Sequence, residues 1–179
     1  MRKVRVKPWE EHYQVLFGEE ANLLREVLGE EALGIFHIGS TSVPGLKSKP
    51  IIDILIAVRD ISKVDSFNGA MEEVGYSALG ENGIPGRRYF QKAVGNDHSH
   101  HVHVFESGNS EIERHIAFRD YLRAHPQVAE KYGNIKARLA EIHPYDIESY
   151  QTGKSAMVLE IQEEAIKWYR ESVRVEAGQ

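Results

Sequence analysis

The sequence predicts an α/β domain of the α+β kind: a mixed β-sheet flanked by helices, with a helical C-terminal half. Three observations carry this. The run Ile51 to Val58 is almost continuously apolar and of strand length, the composition of a central strand covered on both faces. A second β-prone region lies between Tyr76 and Phe105. Beyond Ser110, apolar residues recur at helical spacing between helix-start signals. At 179 residues the chain is read as one domain, 1–179, large enough to bury a core without staples.

Each element follows in order. Leu16, Leu23, Leu24, Val27 and Leu28 have the spacing of an amphipathic helix between Trp9 and Leu28. Leu33 to Ile38 is a short apolar strand. Ser62 caps a helix with Val64, Phe67, Met71 and Val74 inward, and Gly75 stops it. Arg87 to Val94 and His100 to Phe105 form a hairpin joined through Gly95-Asn96-Asp97. Ser110 with Glu113 has the form of a capping box, opening a helix through Ile112, Ile116 and Leu122. Pro126 fits the first position of the next helix, whose inner face is read as Val128, Tyr132, Ile135, Leu139 and Ile142. A last helix spans Ser155 to Val173, with Val158, Ile161, Ala165 and Trp168 or Tyr169 inward.

Composition narrows the function classes. The chain has no cysteine, which excludes disulfides, thiolate metal sites and a cysteine nucleophile. A net charge of -5 argues against sequence-independent nucleic-acid binding. No apolar run approaches membrane-spanning length, and the basic start Met1 to Pro8 has no hydrophobic segment behind it. The expectation is a soluble, cytoplasmic protein with neither membrane nor nucleic acid as partner.

Two stretches hold chemistry-bearing residues. In the first, a strand ending at Ile38 runs into Gly39-Ser40-Thr41-Ser42, then a Pro/Gly loop with Lys47 and Lys49, then the apolar strand containing Asp53. A Gly/Ser/Thr turn offers N–H and hydroxyl groups to a phosphate, and a carboxylate on the neighbouring strand can hold the accompanying metal. A plain tight turn between buried strands has the same pattern. A carboxylate amid apolar residues needs a metal, a cation or hydrogen bonds, so Asp53 is singled out. The second stretch is His98-Ser99-His100-His101-Val102-His103, with four of the nine histidines in six residues. On a strand His101 and His103 share a face and can chelate one metal ion; a solvated His-rich hairpin is the alternative. Arg87, Arg88, Lys47 and Lys49 suit a phosphate-binding rim, and Lys154 adds charge. Thr152-Gly153-Lys154-Ser155 imitates the tail of a P-loop, but Glu148 stands where the upstream glycine is required.

The run His37 to Leu46 with Lys49 to Ile54 resembles the signature of the GrpB family of bacterial proteins. The resemblance continues through Gly86-Arg87-Arg88-Tyr89-Phe90, His101-Val102-His103-Val104-Phe105, Phe118 to Arg123, Tyr150 and Lys154, and covers nearly the whole chain. It implies a nucleotidyltransferase-like fold, in which Gly39 and Ser40 hold nucleotide phosphates and Asp53 is the first metal carboxylate. The position of the second carboxylate is Leu55, which cannot bind a metal, and imidazoles stand near the third.

The resulting expectation is metal-dependent nucleotidyl or phosphoryl transfer to a small-molecule acceptor. Asp53 would be catalytic. Gly39, Ser40, Thr41, Lys49, Arg87, Arg88 and Lys154 would bind the nucleotide or phosphorylated partner. Asp53, His101 and His103 would hold a divalent ion: manganese, magnesium or another transition metal. The alternative is a module that binds a nucleotide or phosphometabolite without turnover.

Overall fold

Five strands form one mixed sheet in the order β1-β2-β5-β4-β3: β1 (Ala32–Ile38), β2 (Ile52–Val58), β3 (Tyr76–Ala78), β4 (Arg87–Val94) and β5 (Asp97–Glu106). This computed structural model describes residues 3–177. β2 and β5 pair in parallel; the other neighbours are antiparallel. β2 is the central strand that the apolar run predicts, with Ile54, Leu55, Ile56 and Val58 fully buried. The helices are α1 (His12–Leu28), α2 (Asn68–Glu73), α3 (Ser110–Ala124), α4 (Pro126–Ile142) and α5 (Ile147–Ala177). The α+β class is therefore as expected, with the helical half where the sequence puts it.

By internal packing the chain divides into two compact units, each built from separate stretches. One holds Glu11–Ile38 and Ile51–Ile112, and so contains the whole sheet with α1 and α2. In it, α1 lies against β1 and β2. The other holds the chain through Glu10, Gly39–Pro50, and everything from Glu113 onward. Its core gathers Val43 and Leu46 with Leu122, Ala129, Tyr132 and Ile161. A smaller cluster joins Val4 to Ala140 and Tyr150.

Local chemistry explains where the elements depart from expectation. The cap after β2 is Asp60, whose carboxylate accepts from the Ser62 N–H at 2.9 Å, and Ile61–Phe67 winds as a tight 3-10 turn before the short α2. At α3 the cap is Asn109, whose side-chain oxygen accepts from the Glu111 N–H at 2.9 Å; Ser110 is already inside the helix. Pro126 does open α4, but the buried face is Ala129, Tyr132, Gly133, Lys136 and Ala140, while Ile142 is exposed. The inward stripe is therefore turned by one position from the apolar residues. α5 begins eight residues before Ser155, capped by Asp146 bonding the N–H and hydroxyl of Ser149. Gly153 does not interrupt it: a Cβ there would lie 2.5 Å from Leu139 Cδ2, so the glycine permits close approach of α4 and α5. Among the described residues no helix is long and apolar enough to cross a membrane.

Candidate functional site

In the sheet unit, the parallel register places Asp53 beside His101, and Leu55 beside His103. β4 sets Tyr89 across from His103 on the same face. Asp53 Oδ1 lies 3.3 Å from His101 Nδ1 and 3.7 Å from His103 Nε2. The other nitrogen of His101 is 3.0 Å from His98 Nδ1, and that of His103 is 3.3 Å from a terminal nitrogen of Arg87. Tyr89 places its ring against both imidazoles and under the Arg87 guanidinium. Burial pushes the Asp53 carboxyl up, but hydrogen bonding and charge from His101 and His103 outweigh it and hold the group well below the usual carboxylate range. The carboxylate is thus kept ionised between two imidazoles.

Arg87 and Arg88 do not form one rim, because neighbours on a strand face opposite ways. Arg87 is buried on the Asp53 face, donating to the carbonyls of Glu81 (3.1 Å) and Asn82 (2.6 Å). Arg88 is on the other face, in a bidentate pair with Asp65 at 2.6 and 3.0 Å. That other face also carries a buried polar cluster missed by sequence reading. Glu20 of α1 accepts from the Tyr76 hydroxyl at 2.8 Å and from Lys92 at 2.7 Å. The same glutamate lies 3.8 Å from His100 Nε2.

In the helical unit, Ser40–Ser42 is a single 3-10 turn preceded by Gly39 at φ 70°, where only glycine is unstrained. The turn is held through its own carbonyls. Arg123 donates twice to Ser42 O, at 2.9 and 2.7 Å, and the Trp9 indole donates to Thr41 O at 2.9 Å. The Ser42 hydroxyl bonds back to Gly39 O. Lys136 of α4, only 3% exposed, donates to Ser40 Oγ at 2.7 Å with its ammonium 4.4 Å from the centre of the Tyr132 ring. A hydroxyl that accepts from an ammonium keeps its own proton to donate, which is the pairing a phosphate oxygen needs. Thr41 is buried, and its carbonyl is the acceptor for the Trp9 indole. Lys49 stands over Tyr150 at 5.4 Å, Lys47 bonds Asn134 at 2.8 Å, and Lys154 lies in the second turn of α5. Lys136, Arg123 and Trp9 were not singled out by sequence. For Lys136 the available signal was its helical spacing from Tyr132 and Ala140.

The donor set at Asp53 does not fit a metal ion as it stands. Leu55 occupies the second acid position, and both imidazoles direct a nitrogen at the same carboxylate oxygen. Among the described residues no group of three or more His, Asp or Glu side chains is disposed to hold a metal.

Comparison with known proteins identifies the family. The family model described as "GrpB protein" matches residues 3–164. The UPF0157 protein YqkA of Bacillus subtilis strain 168 is 49% identical over 167 residues, covering 93% of this chain and 48% of that protein. This chain thus spans about half the length of that relative. The glutamate-rich protein GrpB of Alkalihalophilus pseudofirmus is 38% identical over 84% of this chain and 89% of its own length. The crystal structure of conserved protein GrpB from Enterococcus faecalis superposes with a TM-score of 0.89 at 44% identity, covering 92% of this chain and 99% of that one.

Proposed function

This chain belongs to the GrpB family, and from that premise we propose that it binds a nucleotide or another phosphorylated small molecule through the Gly39–Ser42 turn. The observation that carries the proposal is the Lys136 ammonium stationed on the Ser40 hydroxyl at 2.7 Å. Taking an ammonium out of water is costly, and on the Ser40 hydroxyl its charge can serve a bound phosphate. Ser40 and Lys136 would donate to the phosphate oxygens. Arg123 and Trp9 would keep the turn's shape, since each already bonds its backbone.

A second reading, transfer of the phosphoryl or nucleotidyl group to a small acceptor, is favoured by the Asp53 carboxylate held ionised beside two imidazoles. A carboxylate-oriented imidazole is suited to take the proton of an acceptor hydroxyl. The divalent metal that the nucleotidyltransferase resemblance implies enters neither reading as a step, because the residues at Asp53 do not fit it.

Calorimetric titration with the four ribonucleoside triphosphates and with pyrophosphate tests the binding proposal. Saturable heat that Ser40→Ala weakens about tenfold or more supports it, the measure of one hydrogen bond to a charged group. Absence of binding at millimolar ligand overturns it. Phosphorus NMR of the same mixtures with candidate acceptors separates the readings, since only transfer creates a new phosphate resonance.

A further inference from the structure

The Asp53 cluster looks like a metal site by composition and fails to be one by geometry, and Arg87 supplies the reason. Four contacts run in line: His98 Nδ1 to His101 Nε2 at 3.0 Å, His101 Nδ1 to Asp53 Oδ1 at 3.3 Å, Asp53 Oδ1 to His103 Nε2 at 3.7 Å, and His103 Nδ1 to Arg87 at 3.3 Å. Arginine has donors only and stays charged. The His103 nitrogen that meets it must therefore present a lone pair. A neutral His103 then carries its proton on Nε2, the nitrogen turned toward Asp53. A metal bound beside Asp53 would need the lone pair at that same Nε2, and the displaced proton would have to move to Nδ1, against the guanidinium.

Arg87 is not able to yield. It is 6% exposed, fastened to the carbonyls of Glu81 and Asn82, and stacked 4.8 Å over Tyr89. The Asn82 backbone that it holds is itself in the left-handed region, at φ 44°. On the other flank, the carboxylate of Asp53 draws the proton of His101 to Nδ1, so that His101 Nε2 accepts from His98. Both nitrogens facing Asp53 are thus N–H donors.

We infer that Arg87 is a positioning residue that fixes the tautomer of His103, and through it keeps Asp53, His101 and His103 a metal-free cluster in which both imidazoles turn an N–H toward the carboxylate. The arrangement anchors His101 through Nδ1 and leaves proton traffic to its Nε2 and His98, which is the disposition of a carboxylate–imidazole pair serving acid–base chemistry. This inference is independent of phosphate binding at the Gly39–Ser42 turn, and its test needs no nucleotide.

The direct measurement is a long-range proton–nitrogen correlation spectrum of the histidine-labelled wild type above pH 7. It should show His103 protonated at Nε2 and His101 at Nδ1, assigned by His103→Gln and His101→Gln. A His103 protonated at Nδ1 overturns the inference. The second measurement is titration with manganese and zinc ions, followed by calorimetry. The wild type should show no binding that depends on Asp53. Arg87→Gln, which can accept as well as donate, should gain Asp53-dependent binding at least about tenfold tighter than the weakest affinity the wild-type titration would detect, the scale on which outer partners tune a metal site. Asp53→Asn in that background should remove the gain. Wild-type binding that Asp53→Asn abolishes, or an Arg87→Gln protein that folds and gains nothing, refutes the role of Arg87. If Arg87→Gln does not fold, the wild-type spectrum decides alone.

Discussion

Replacing Lys136 with Met removes an ammonium and leaves a stem of similar length, and it separates a binding role from a structural one. The ammonium lies 2.7 Å from Ser40 Oγ and 4.4 Å from the centre of the Tyr132 ring, in a residue 3% exposed, so the substitution removes the charge-assisted contact to the turn together with the contact to the ring, and little packing. A hydrogen bond to a charged group contributes about 1.5–3 kcal/mol. Spent on a bound phosphate, that is roughly ten- to 150-fold in affinity. For the unliganded protein the same loss is offset by no longer burying a charge, so net stability should move by no more than about 1–2 kcal/mol. The assay is calorimetry with pyrophosphate, repeated at two salt concentrations, beside urea unfolding of both proteins. The variant should bind at least about tenfold more weakly and with a shallower salt dependence. Wild-type affinity in Lys136→Met would refute the reasoning, and would assign the lysine to the packing of α4.

Three further outcomes follow from the structure. Glu20→Gln keeps an acceptor for Tyr76 but strips Lys92 of its counter-charge, and should lower stability by about 1–3 kcal/mol in urea unfolding. The Asp53 carboxyl sits below its ordinary value of 3.8, so its contribution is fully present above that pH and is lost as pH falls toward the folded-state value. Asp53→Asn should accordingly flatten the acid limb of the stability profile below pH 4, as read by urea unfolding across that range. Gly153→Ala gains about 1 kcal/mol of helix propensity but places a Cβ 2.5 Å from Leu139 Cδ2. The atoms met belong to one flexible side chain, so Leu139 has to turn aside; in thermal unfolding, Leu139→Ala with Gly153→Ala should therefore cost less than the two separately.

Much of the arrangement was legible in the chain because it depends on neighbours in sequence. Strand period and apolar composition located β2 and the hairpin, and singled out Asp53 in the one and His101 and His103, on a shared face, in the other. Parallel pairing of β2 with β5 then set Asp53 beside His101. Alternation along β4 was equally available, and it separates Arg87 from Arg88. The rim expected of both arginines failed because charge was read without strand direction.

What the sequence by itself determined is the class of fold, the membership in a family, and which side chains are chemically able to act. The tertiary structure alone decided what each of them faces. Lys136 reads as one more surface lysine until α4 is rotated so that it meets the turn at Ser40. Gly153 reads as part of a P-loop imitation until Leu139 of α4 is found against it. Arg87 and Arg88 read as one pair until the strand turns Arg87 to the imidazole of His103 and Arg88 to Asp65. Composition specifies which donors and lone pairs a residue owns. Their direction depends on contacts between residues far apart in the chain, which no local pattern encodes.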